Sequence, residues 1–89
     1  TAVGQSALGA NTTADNNVAV GYNALVANTT GANNTAVGSA SLDANTTGTQ
    51  VSAFGVQALG ANTTGHSNTA VGYAAMFTNT TVQETLPLV

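Results

Sequence analysis

Thr35-Ala36-Val37-Gly38-Ser39-Ala40-Ser41-Leu42-Asp43-Ala44-Asn45-Thr46-Thr47-Gly48-Thr49-Gln50-Val51 is one copy of a unit that recurs every 17 residues. Copies start at Thr1, Val18, Thr35, Ser52 and Thr69. A short fixed period marks a solenoid, in which each unit is one coil stacked on the last.

Working outward from this copy, position two of the unit is Ala throughout: Ala2, Ala19, Ala36, Ala53 and Ala70. Position three is Val3, Val20, Val37, Phe54 and Val71; position four is Gly4, Gly21, Gly38, Gly55 and Gly72. Position eight is Leu8, Leu25, Leu42, Leu59 and Met76. Residues one to three read as a short strand, with β-branched side chains on one face and Ala on the other. The Gly that follows at once suits a sharp turn or a close backbone approach. After a second short extended segment, the Leu is expected to return to the same interior. Asn-Thr-Thr at positions eleven to thirteen, followed by Gly in the middle copies, reads as a corner, because Asn tolerates the left-handed region and Gly supplies positive φ. The variable polar positions fifteen to seventeen read as an outer bend.

The fold expected is therefore all-β, a parallel β-solenoid of five coils over residues 1–81, with 82–89 as an exit segment or cap. Its core ranks are read as Val3, Val20, Val37, Phe54 and Val71 with Leu8, Leu25, Leu42, Leu59 and Met76. Ala2, Ala19, Ala36, Ala53 and Ala70 are read as a flat outer face suited to contact between chains. One Val and one Leu per coil is a thin core, so a homo-oligomer is expected rather than a monomer. A repeat array cut between coils exposes strand edges, which adds end-to-end filament formation as an expectation.

The 89 residues contain no Lys, Arg or Cys, one His and three acids, for a net charge of −3. A chain without cations is a poor partner for nucleic acid or an anionic bilayer surface. It has no apolar run long enough to span a membrane. Phase-locked Val and Leu argue against disorder despite the low charge. Helix is opposed by regular Gly and by the density of Thr and Asn.

Asn16-Asn17-Val18-Ala19-Val20-Gly21 resembles the Asn-Ser-Val-Ala-Ile-Gly strand of trimeric autotransporter adhesin heads. Asn34-Thr35-Ala36-Val37-Gly38 and Asn68-Thr69-Ala70-Val71-Gly72-Tyr73 are similar to the Asn-Thr-Ala-Val-Gly-Tyr repeats of phage tail-fibre proteins. The resemblance spans residues 1 to about 81, although the present unit is longer than the adhesin repeat. It implies a left-handed parallel β-roll, assembled as a homotrimer on a cell or virion surface. It also implies Val inside each roll and Ala against the neighbouring chains.

Function reads accordingly as a structural or adhesive segment of an extracellular fibre, with no catalysis and no cofactor. The alternative is a saccharide- or ice-binding solenoid. Tyr22 and Tyr73 share position five and are candidate contacts for a surface glycan or receptor. Asn11, Asn28, Asn45, Asn62 and Asn79 each begin Asn-Thr-Thr, formally a glycosylation sequon, and Asn33-Asn34-Thr35 is another. A hydrogen-bonded corner ladder explains the same Asn residues without sugar. His66 lacks partners at ligand spacing and reads as a solvated loop residue. Asp15, Asp43 and Glu84 fall at different unit positions, which gives neither a calcium rank nor a carboxylate pair. A hydrolytic triad has only one His to draw on.

Overall fold

The computed structural model describes residues 1–78. The segment 82–89 and Asn79 lie outside the described residues. Five short strands follow one another: β1 (Ala2–Val3), β2 (Val18–Val20), β3 (Thr35–Val37), β4 (Ser52–Phe54) and β5 (Thr69–Val71). They form one parallel sheet in sequence order. The register pairs Ala19 with Ala36 and Ala36 with Ala53, one repeat apart at each step. The repeat period is therefore the sheet register, and equivalent residues stack in ranks about 4.8 Å apart. The described residues measure 28 × 20 × 17 Å.

The strand faces are the reverse of the sequence expectation. Ala19, Ala36, Ala53 and Ala70 are fully buried, and only Ala2 of the first coil is exposed. Val3, Phe54 and Val71 are exposed, at 57%, 41% and 47%, while Val20 and Val37 are half-buried on the same outer face. The Ala rank is thus interior and position three is exterior. The reason is the width of the coil. Opposite the Ala rank lies a second rank of small residues, Ala24, Ser41, Ala58 and Ala75, all buried. The Ser41 hydroxyl donates across the interior to the Ala53 carbonyl at 3.2 Å. A cavity one hydrogen bond wide admits methyl groups and excludes a Val or Phe. The large interior side chains come from position eight: Leu25, Leu42 and Leu59 are fully buried, with Leu8 and Met76 partly so.

Position eight reaches the interior by another route than an extended segment. In the second coil Ala24 N–H donates to Gly21, Val26 N–H to Asn23 and Asn28 N–H to Leu25, at 3.1–3.2 Å. These are three tight turns in succession, and they place Asn23 and Leu25 at φ of 59° and 53°. Leu8, Leu42, Leu59 and Met76 repeat this left-handed conformation. It is uncommon for a bulky residue and costs on the order of 1–3 kcal/mol. The stack enforces it: Leu25 N–H bonds the Ser41 carbonyl and Leu42 N–H that of Ala58, both at 3.0 Å.

Gly at position four is required twice over. Gly38 has φ 130°, and a Cβ there would lie 2.6 Å from the backbone of Gly55 in the next coil. The corner Gly differs from its expected role, because Gly31, Gly48 and Gly65 are not among the residues of positive φ. Gly31 is needed for space, since a Cβ would run into the Gly48 carbonyl and the Asn28 side chain. The left-handed corner residue is instead position sixteen: Asn16, Asn33, Gln50 and Ser67.

Candidate functional site

Two surfaces run the length of the rod, and each is one set of ranks. The first is the outer strand face. Position three carries Val3, Val20, Val37, Phe54 and Val71, and position five, just past the Gly bend, carries Gln5, Tyr22, Ser39, Val56 and Tyr73. Tyr22, Val56 and Tyr73 are exposed, Tyr73 at 78%. No residue at positions one to five is charged in any coil. The result is an exposed apolar stripe of a kind that soluble monomers rarely leave uncovered. It includes both candidate ligand contacts, Tyr22 and Tyr73, which stand in the same rank three coils apart.

The second is the Asn-Thr corner, and its polar atoms are largely engaged. Asn28, Asn45 and Asn62 are fully buried. Asn28 Nδ2 donates to Asn11 Oδ1 at 3.0 Å, Asn45 to Asn28 at 2.9 Å and Asn62 to Asn45 at 2.9 Å. The same amides donate within their own coil, Asn28 to the Gly31 carbonyl at 2.9 Å and Asn45 to that of Gly48 at 3.2 Å. These side chains are therefore unsuited to carry sugar in the folded chain, which corrects the glycosylation reading for Asn28, Asn45 and Asn62. Asn11 of the first coil is half-buried and donates to the Ala14 carbonyl at 3.1 Å.

Position seventeen, expected on an outer bend, forms a second buried rank: Asn17, Asn34, Val51 and Asn68. Asn17 Oδ1 accepts from Asn34 N–H and Asn34 Oδ1 from Val51 N–H, each at 2.9 Å. Asn17 Nδ2 reaches the Gly31 carbonyl at 2.9 Å and Asn34 Nδ2 the Gly48 carbonyl at 2.8 Å. Each of these carbonyls thus receives an amide from both ladders, one of them from the coil before. The in-phase recurrence of Asn17, Asn34 and Asn68 was a signal in the sequence for this rank.

The backbone of the corner adds a socket. The N–H groups of Thr29, Thr30 and Gly31 all point to the Thr46 carbonyl at 3.1–3.2 Å. Those of Thr46, Thr47 and Gly48 point to the Thr63 carbonyl at 3.0–3.3 Å. Thr29 and Thr46 add their hydroxyls to the same acceptors at 3.3 Å. Thr13, Thr30, Thr47 and Thr64 are exposed on the outside of this corner.

His66 is not simply solvated. Its Nδ1 lies 3.2 Å from both the backbone nitrogen and the hydroxyl of Thr49, and it accepts the backbone N–H. Asp43 sits half-buried at position nine, where burial raises its carboxyl above the ordinary range against the lowering pull of hydrogen bonds from the Asp43 and Ala44 backbone. Among the described residues no group of three His, Cys, Asp or Glu could hold a metal, and there is no pocket. No helix there is long and apolar enough to cross a membrane. The chemistry on display is that of surfaces and ladders. Compared with known protein families, curated proteins and solved structures, the chain matches none of them.

Proposed function

We propose that the chain is a structural and adhesive segment of a homotrimeric fibre on a cell or virion surface, and that it performs no catalysis. The observation that carries this reading is the unbroken in-register stack of coils with an uncharged apolar stripe along it. Such a stack gives length and stiffness, because each coil contacts only its neighbours and adds the same increment. The resemblance to adhesin heads and phage tail fibres supports the trimer and the surface location.

The test is an in-phase deletion in the full-length protein. Removing Thr35 to Val51 joins Asn34 to Ser52 and lets Ala19 stack on Ala53, shortening the rod by about 4.8 Å. Trimers should still assemble, and attachment of the parent particle should persist. Removing only Thr35 to Leu42 throws later ranks out of register and should abolish assembly. If the in-phase variant forms trimers yet loses all attachment, the shaft reading fails and the central coil holds a specific site.

A second reading is a saccharide- or ice-binding face. It draws on the exposed rank Thr13, Thr30, Thr47 and Thr64 and on the protruding Tyr22 and Tyr73. Binding on a glycan array, or thermal hysteresis by the isolated segment, would favour it over the shaft.

A further inference from the structure

Resting on the fibre reading, we infer that the apolar stripe is the seam between chains, with the position-three rank of each chain packed against the position-five rank of the next. Its occupants are two further copies of this chain. The Ala rank cannot serve as the seam, because Ala19, Ala36, Ala53 and Ala70 have no exposed surface to offer. The stripe can, since Val3, Phe54, Val71, Tyr22, Val56 and Tyr73 are all open to solvent in the single chain.

Charge favours identical copies as the cover. Each chain carries −3 with no Lys or Arg to offset it, so copies meet with least repulsion through a surface free of acids. Positions one to eight hold no charged residue in any coil, whereas Asp15 and Asp43 fall at positions fifteen and nine. The interface core of a stable assembly is depleted in charge and enriched in aromatics in the same manner. Shape favours a ring over a pair. The chain turns at the position-four Gly, where φ is 121–137°, so positions three and five form two facets meeting along a ridge. Even a whole 28 × 20 Å side of the described residues, on the order of 500 Å², falls short of the roughly 800 Å² per partner in a standard interface, and a single facet is only part of a side. A closed ring gives each chain two such contacts, one through each facet, and contacts of this head-to-tail kind close by rotation. Every coil repeats the contact at the same height, so the seam lengthens with the rod.

The absence of Cys makes disulfide trapping clean. Val37→Cys and Ser39→Cys place one thiol on each facet of the central coil with little change in volume. Each variant alone should sediment as a trimer and stay uncross-linked under mild oxidation. Refolded together, they should give disulfide-linked chains on a non-reducing gel, while Val37→Cys refolded with Thr47→Cys, on the far corner, should not. Trimers in which Val37→Cys cross-links to itself, or in which the Val37→Cys and Ser39→Cys mixture does not cross-link, overturn the seam and leave the fibre reading standing. A wild-type chain that sediments as a monomer well above micromolar concentration overturns both.

Discussion

The strand wall and the Asn-Thr corner solve the same stacking problem with opposite chemistry. At the wall, coils are held by ladder bonds and by Ala side chains packed into a narrow interior, so size is everything: position two is Ala in every copy and position four is Gly. At the corner, coils are held by directed side-chain bonds from Asn to Asn, so identity is everything and size is secondary. The corner accordingly accepts Val51 in an Asn rank at the loss of two rungs, an acceptor and a donor toward the next coil, whereas the outer wall accepts Phe54 in a Val rank because nothing in the chain lies above it. Close packing tolerates no enlargement, whereas a ladder tolerates a gap.

The largest effect expected is at the wall. Ala36→Asp buries an unpaired carboxylate among methyl groups and should abolish folding, read as loss of the β signature in far-UV circular dichroism. Val37→Asp, one residue on, points outward. It should keep the β signature while losing assembly in sedimentation. Equal loss of structure from both would return position three to the interior.

Next is the corner. Asn45→Ala removes the donor to Asn28 and Gly48 and the acceptor for Asn62. Asn28 Oδ1 loses this donor, while the Gly48 carbonyl keeps the Asn34 amide and the Asn62 amide keeps the Gly65 carbonyl. The cost is roughly 1–3 kcal/mol, measurable as a lower urea midpoint with an unchanged m-value. A change within error would mean that the ladder is an accessory to the sheet.

Val51→Asn sharpens the comparison in the other direction. It supplies an Oδ1 toward the next coil and an amide within reach of the Gly65 carbonyl, by the pattern of Asn34 and Gly48. A gain of about 1 kcal/mol in chemical unfolding is expected. Destabilisation would show that the site has become a packing site.

The smallest effect concerns Asp43. Burial raises its carboxyl in the folded chain, so the protonated form is favoured by folding. Stability from this group is present below the ordinary carboxylate range and is lost as pH rises through the raised value. Acidification from neutrality should therefore stabilise the chain slightly. Asp43→Asn should hold that gain at all pH values and flatten the profile, checked by thermal melts between pH 7 and the acid limit of solubility.

The period, the strand positions and the parallel register were legible because 17 residues separate every equivalent pair. Which face points inward was not, since a strand of three residues offers only a choice between two sides. The clue was variance within the repeat: a rank that admits Phe54 has room above it, and a rank that is always Ala has none. The turns at positions five to eleven were hidden for a different reason. Leu does not favour the left-handed region, so Leu25 and Leu42 carry no local mark of the φ that the neighbouring coils impose. The stripe was legible as residues and illegible as a surface until the Ala rank was known to be inside.

The interrupted Asn rank has a mechanical consequence. In a rod pulled end to end, the joints between coils are loaded in series, and the rungs within one joint share the tension in parallel. Rod strength is then that of its weakest joint, however many coils are added. Asn17 and Asn34 each lend an oxygen to the following coil, and Val51 has none to lend. The third coil therefore passes no tension to the fourth through the position-seventeen side chain, and the side-chain rungs of that joint are instead Ser41 to Ala53, Thr46 to Thr63, Thr49 to His66, Asn62 to Asn45 and Ser67 to Gln50. A single Val51→Asn exchange restores position seventeen to the load path and should raise the stretching force at which these two coils separate.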